Sequence, residues 1–219
     1  HRSVIKNVAY GLLIQGVKKG EAYERSQKWI DKVSLNGYEN SYPYQLSGGM
    51  QQRVGLARAM ATDAGILLMD EAFSSLDPLI RSSMQEILLD LQKELNKTII
   101  FITHDLNEAL RIGDQISILR DGEIIQTGSP EDILLGPKDK YISNFIKDIN
   151  RGRMLKVSSI MRKNTSIKAP KILDNISIED AIPILASASE GLAAVVNKNG
   201  NIIGKVSLDS AISALSSKK

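Results

Sequence analysis

Two short apolar runs, each closed by an acid, set the tightest limit on how this chain can fold. "GILLMD" (65–70) and "TIIFITHD" (98–105) flank one amphipathic stretch with Met84, Ile87, Leu88, Leu91 and Leu95 at helical spacing. A continuous apolar strand offers no polar face to water. The order strand, helix, strand therefore predicts a parallel pair inside a sheet buried on both faces, which is an α/β architecture. Residues 1 to about 60 are predicted to be mostly helical. "EAYERSQKWIDKV" sets Ala22, Ser26, Trp29, Ile30 and Val33 at helical spacing, and "GGMQQRVGLARAMA" continues as a second helix. Further helix starts are punctuated: Asp105 and Glu108 have capping-box spacing, and Ser129-Pro130-Glu131-Asp132 supplies an N-cap, an early proline and early acids. "DGEIIQTG" between them is a turn and a strand. Beyond "NRGR" (150–153), a charged linker candidate, comes a third zone. It comprises a helix near 177–188, the strand "LAAVVN", the turn "KNGN", the strand "IIGKVS" and a closing helix "LDSAISAL".

Composition excludes several function classes. With 219 residues, 42% of them hydrophobic, the chain can bury a core of one domain, or of one plus a small second one. The absence of cysteine removes disulfide scaffolds, thiol catalysis and cysteine-ligated zinc, and fits a reducing cytoplasm. Two histidines make a metal cluster unexpected. No apolar run approaches the roughly 18–20 residues of a membrane span, so any membrane role is expected to be peripheral. The net charge of +3 is unevenly spread: residues 1–150 hold 17 Lys+Arg against 20 Asp+Glu, and residues 151–219 hold 11 against 5. A basic surplus in the tail attracts anions such as nucleic acid, anionic lipid or phosphate, and is equally the solvated face of a lysine-rich sequence.

"LSGGMQQR" (46–53) is the most specific string. A serine and two glycines opening a helix expose backbone N–H groups where the helix dipole is positive, which makes an anion site. Taken alone, "SGG" before a helix is also an ordinary cap. "ILLMDE" ends a buried strand in two acids, delivering Asp70 and Glu71 to the edge where open parallel sheets bind ligands. Two adjacent acids also suit a helix N-terminus. His104, at the end of the next strand, is of a kind that by itself is more often a satisfied structural residue.

In this order and spacing the motifs resemble those of ATP-binding-cassette (ABC) ATPases over residues 1 to about 148. The resemblance implies a P-loop NTPase core of α/β class with a helical signature subdomain (about 1–60, with the core about 61–150). It implies ATP and Mg²⁺ as cofactors. "LSGGMQQR" is similar to the signature loop, so Ser47, Gly48, Gly49 and Gln51 are expected to contact nucleotide held mainly by a second ATPase subunit in a head-to-tail dimer. Asp70 resembles the Walker B aspartate that holds Mg²⁺, generally through water, and Glu71 the catalytic glutamate that polarises the attacking water. "SSLD" (74–77) resembles the D-loop, with Asp77 reaching toward the partner, and His104 the switch histidine that senses the γ-phosphate.

One family element is missing. G-x-x-x-x-G-K-[ST] occurs nowhere, and Gly204-Lys205 has neither the upstream glycine nor a following hydroxyl. In the family that loop precedes the segment resembled by "HRSVIKNVAYGL". The chain is therefore expected to be a fragment that lacks the N-terminal lobe of its ATPase core and is inactive alone.

Longer stretches narrow the resemblance. "HRSVIKNVAYGLLIQGV", "MATDAGILLMDEAFSSLDPLIR" and "GSPEDILLGPKDKYISNFIKDINRGRML" are similar to the ATPase subunit of glycine betaine/proline betaine (quaternary amine) importers. That implies integral membrane permease subunits as partners, a substrate-binding protein indirectly, a peripheral place on the cytoplasmic face of the membrane, and no nucleic acid. Residues 151–219 resemble one small α/β CBS domain. Gly204, Val206 and Ser207 fit its nucleotide element, but Ser210 stands where that element has aspartate, which leaves passive dimerisation or salt-sensitive contact with anionic lipid as its expected roles. The alternatives are an ABC ATPase of another importer class or a soluble non-transport ABC ATPase. Members of the soluble group carry coiled-coil insertions or basic linkers, and neither interrupts the motifs here.

Overall fold

Ser47 opens the helix that organises the first half of the computed structural model, which describes residues 1–95, 97–163 and 167–216. Its hydroxyl accepts from the Met50 N–H at 3.3 Å and starts α4 (Gly48–Ala61), while Thr62 closes it by donating to the Ala59 carbonyl at 2.9 Å. Before it come α1 (Val4–Val8), α2 (Tyr10–Ile14) and α3 (Lys19–Lys32). Ala22, Ser26 and Ile30 of α3 are buried, as expected from their spacing, and α3 and α1 both pack against α4. The buried Ser26 hydroxyl is satisfied by the Ala22 carbonyl at 2.6 Å. Trp29 is half-buried beside this face, with the Lys32 ammonium 5.2 Å from its ring.

The expected βαβ unit follows as β1 (Ile66–Asp70), α5 (Pro78–Leu95) and β2 (Thr98–Ile102). The strands are parallel, in the register Leu68↔Ile100 and Asp70↔Ile102. Met84, Leu88 and Leu91 of α5 are buried. The sheet is not buried on both faces, and here the sequence reading needs correction. Ile66, Leu68, Ile100 and Ile102 are 59, 73, 52 and 57% exposed, because among the described residues nothing covers that side of the two strands. Burial alternates along both strands, although their composition does not. These elements make one compact unit, His1–His104.

The second unit, Asp105–Lys219, begins with α6 (Leu106–Ile112), capped by Asp105, whose carboxylate accepts from the Asn107 N–H at 2.9 Å. An antiparallel hairpin of β3 (Ile116–Arg120) and β4 (Glu123–Gly128) leads to α7 (Pro130–Leu135) and α8 (Lys140–Phe145). At α7 Ser129 is the N-cap, as expected, and a capping box forms with it: Ser129 Oγ accepts from the Asp132 N–H at 3.1 Å, and Asp132 accepts from the Ser129 N–H at 3.0 Å. Those bonds, the backbone N–H first, hold the Asp132 carboxyl below the usual carboxylate range.

"NRGR" is not an open linker. Asn150 accepts from the Arg153 N–H at 3.3 Å and caps α9 (Arg151–Met154), in which Gly152 is buried close to Glu179 and Leu215. After it, β5 (Lys171–Leu173), α10 (Ile178–Ser187), β6 (Leu192–Val196), β7 (Ile202–Ser207) and α11 (Leu208–Leu215) build a three-stranded sheet in the order β5-β6-β7. β5 and β6 are parallel, β6 and β7 antiparallel. The "KNGN" hairpin is as expected: Asn197 Oδ1 accepts from the Asn199 and Asn201 N–H groups, and Gly200 takes φ +79°. One apolar cluster runs through the whole unit, from Leu106, Ile118 and Ile133 to Leu155, Leu185, Val195 and Val206.

Candidate functional site

The expected catalytic pair is assembled by the two parallel strands. β1 ends at Asp70 and β2 at Ile102, so Glu71 and His104 emerge side by side beyond the carboxyl ends, where sheets of this kind bind ligands. The Glu71 N–H donates to the Ile102 carbonyl at 2.9 Å, and His104 Nδ1 lies 3.1 Å from Glu71 Oε1. Both side chains are open to solvent, His104 at 70% and Glu71 at 50% exposure. Glu71 adopts φ +44°, a left-handed conformation that costs a non-glycine residue about 1 kcal/mol or more. Asp70 is exposed at the strand end beside it.

Glu71 also anchors the turn that follows. Ser74 donates to the Glu71 carbonyl twice, from N–H at 3.2 Å and from Oγ at 2.9 Å. Buried Phe73 packs on Phe101 of β2, ring centroids 5.6 Å apart. Asp77 has a local task here: its Oδ1 accepts from the Leu79 and Ile80 N–H groups, both at 3.1 Å, and starts α5 ahead of Pro78. A cleft of 320 Å³ runs between α4 and this strand end, lined among others by Gln52, Gly55, Asp70, Glu71 and Phe73.

The signature residues divide into two groups. Ser47 and Gly48 are exposed, and a Cβ on Gly48 would meet nothing within 4 Å, so a ligand can approach that backbone closely. By position, the first N–H groups of α4 have no intrahelical acceptor. Gly49 is different. It is buried, and a Cβ there would lie 2.4 Å from Cγ2 of Ile80, so its smallness lets α4 approach α5. Gln51 folds back, its Nε2 donating to the Leu46 carbonyl at 3.2 Å. Arg53, the last letter of the octapeptide, is architectural: Nη1 donates to the Val33 carbonyl and Nη2 to Ser83 Oγ, both at 3.0 Å.

Sequence reasoning missed Arg81. Its Nη2 donates to the carbonyls of Leu76 and Ser74, at 3.1 and 3.4 Å. One signal was available: a cation in the first turn of a helix opposes the helix dipole, so something other than helix stability must explain it.

In the second unit, Ser207 and Ser210 cap α11 reciprocally. Ser210 N–H donates to Ser207 Oγ at 3.1 Å, Ser207 N–H to Ser210 Oγ at 3.2 Å, and Ser210 Oγ to the Ser207 carbonyl at 2.8 Å. Gly204 is packed under Met161 and Arg162, with Met161 Sδ 2.8 Å from where a Cβ would sit.

A strand-end acid pair with a histidine on the adjacent parallel strand, beside a helix opened by serine and two glycines, is an arrangement similar to that of ABC ATPases. The ABC transporter family model matches residues 2–74, from α1 through Asp70 and Glu71. Among solved structures, a metal-chelate type ABC transporter in an inward-facing conformation aligns with a TM-score of 0.56 and 27% identity, covering 60% of this chain and 54% of that one. More particularly, the chain is similar to ATP-binding proteins of betaine transport. It is 52% identical over 171 residues to the glycine betaine transport ATP-binding protein OpuAA of Bacillus subtilis, an alignment covering 78% of this chain and 41% of that protein. It is 48% identical to the glycine betaine/carnitine transport ATP-binding protein GbuA of Listeria monocytogenes, over 94% of this chain and 51% of that one. With the glycine betaine/proline betaine ATP-binding protein ProV of Escherichia coli, identity is 39% over 100% of this chain and 54% of that one. The chain thus spans about half the length of the curated relatives it matches.

Proposed function

We propose that this chain is part of the ATP-hydrolysing subunit that powers an ABC importer of glycine betaine/proline betaine-type osmoprotectants. The observation that carries the reading is the Glu71–His104 pair, 3.1 Å apart beyond the ends of two parallel strands. In this assignment the Glu71 carboxylate takes a proton from water as the water oxygen attacks the γ-phosphorus. The bond from that phosphorus to the bridging oxygen breaks, and its electron pair leaves with ADP. His104 orients Glu71 and donates toward the terminal phosphate. Among the described residues no cluster of three or more His, Asp or Glu forms a self-sufficient metal site. Asp70, one exposed carboxylate, fits a hard cation that takes most of its oxygens from phosphate and water. Mg²⁺, when bound, would neutralise charge on the transferring phosphoryl group.

Ser47, Gly48, Gly49 and Gln51 would complete the nucleotide site of a second ATPase subunit, Gly49 through its backbone N–H while its small size lets α4 approach α5. The uncovered aliphatic face of β1 and β2 supports the reading of residues 1–150 as a partial ATPase domain whose phosphate-loop lobe is not among these residues. Permease subunits at the cytoplasmic face of the membrane, and through them a substrate-binding protein, are the partners this reading requires. Residues 151–219 would be a single CBS domain, a reading supported by the β5-α10-β6-β7-α11 order. With Ser210 committed to its cap, adenosine-nucleotide binding there is disfavoured, and the basic surplus favours contact with anionic lipid. If vesicle binding by the chain did not vary with anionic lipid content or with salt, the lipid role would be lost.

The test of the main proposal is Glu71→Gln in the full-length gene product assembled with its permease. Loss of turnover by roughly 10²–10⁴-fold with ATP binding retained is expected, read by phosphate release and by nucleotide titration. Hydrolysis at the wild-type rate would remove Glu71 from its role.

A further inference from the structure

We infer that Arg81 is a positioning residue for Glu71, acting through the turn at 71–77; the inference rests on the assignment of Glu71 as the base. The turn is tied at three places. At its start the Glu71 N–H is bonded to the Ile102 carbonyl of β2, and at its end Asp77 Oδ1 accepts the Leu79 and Ile80 N–H groups of α5. Between them, Arg81 reaches back from the first turn of α5 and donates from Nη2 to the Leu76 and Ser74 carbonyls. Ser74 is the residue whose N–H and hydroxyl both hold the Glu71 carbonyl. A continuous chain of hydrogen bonds therefore runs from the guanidinium through Ser74 to the backbone of Glu71.

That backbone needs holding. Glu71 sits at φ +44°, and a non-glycine residue stays in such a conformation only where its surroundings over-determine it. Its side chain is half exposed and meets His104 through one bond, so packing does little to fix it. The direction of the carboxylate is then set mainly by the peptide that carries it. Arginine suits the task better than lysine, since a planar guanidinium holds two acceptors with less orientational freedom than a rotating ammonium. Against the helix dipole, Arg81 gains the two carbonyls it binds.

The test uses the full-length gene product in its transporter complex, with Arg81→Ala, Arg81→Lys and Glu71→Gln alone and in combination. Arg81→Ala is expected to lower kcat by about 10–100-fold while KM changes by less than about threefold, because a misplacement on the order of 1 Å costs that much in rate and leaves binding alone. Arg81→Lys should recover part of the loss. In single-turnover measurements, Arg81→Ala should produce no further loss in the Glu71→Gln background, since its effect runs through the carboxylate. Wild-type kcat in Arg81→Ala overturns the inference, and so does an equal factor of loss in both backgrounds, which would mean a general structural role. If Arg81→Ala does not fold, as judged by far-UV circular dichroism of the purified full-length subunit, Arg81→Lys decides: a lowered kcat at unchanged KM supports the inference and wild-type kcat ends it. Wild-type turnover in Glu71→Gln would be the separate failure of the base assignment itself.

Discussion

"ILLMD" in the first unit and "LAAVV" in the second are both five-residue apolar strands, yet they end in opposite environments. In β6, Ala193, Ala194 and Val195 are fully buried, with α10 packed against the strand and Ala193 and Val195 part of the cluster that spans the unit. In β1 and β2 every second aliphatic side chain faces solvent. The difference teaches that an apolar run reports how much burial a strand can use, while the layers around it decide how much it receives. A strand with one covered face gives up roughly 1.5–3 kcal/mol for each large aliphatic left outside.

The strongest way to break this contrast is to place a charge on each strand. Val195→Asp should unfold the second unit or destabilise it by on the order of 4 kcal/mol, because a buried carboxylate has no partner there. Leu68→Asp should stay within about 0.5 kcal/mol, as for a surface change. The chain holds one tryptophan, Trp29 in the first unit, so its fluorescence in denaturant reports that unit, while far-UV circular dichroism reports both. A large effect of Leu68→Asp would show that the open face is covered in solution.

A smaller effect should show that openness in the first unit is confined to the sheet and does not extend to α4. Gly49→Ala drives a Cβ into the stiff, β-branched Ile80 and should cost about 1–3 kcal/mol. Gly48→Ala, one residue earlier in open space, should be neutral or stabilising by up to about 1 kcal/mol. The two midpoints in denaturant, compared directly, are the measurement.

The smallest effect concerns pH, and it should make the two units alike. Glu39 is held below the usual carboxylate range by its own backbone N–H, then by the Gly37 N–H and Gln27, and Asp132 by Ser129. A carboxyl lowered in the folded state adds stability that is complete above its unfolded pKa and is lost as pH falls through the lowered folded value. Glu39→Gln should therefore flatten the acid limb of the Trp29 transition, and Asp132→Asn that of the circular dichroism change, both below the ordinary carboxylate range. Neither should alter stability trends above pH 6.

Much of this was legible from residues because local chemistry enforces it. Capping serines and aspartates marked the starts of α4, α6 and α7, and the alternation of apolar strands with helices placed Asp70, Glu71 and His104 on one sheet edge. The illegible parts depend on partners distant in sequence. β5 has three residues and is held by β6, so it has no periodicity of its own to detect. "NRGR" is charged and glycine-containing, as linkers are, but Gly152 is what allows close packing against Glu179 and Leu215. At the site, Gly49, Gln51 and Asp77 match the signature and D-loop patterns, yet each is held by a local packing or capping contact that a linear motif does not reveal. Arg81 escaped because its acceptors are main-chain carbonyls, which leave no trace in side-chain identity.

The left-handed backbone at Glu71 also fixes what a substitution there would exchange. Glycine takes that conformation without the Cβ penalty, so Glu71→Gly would relieve the strain and remove the carboxylate in one step. At this position ease of folding and possession of an acid pull in opposite directions.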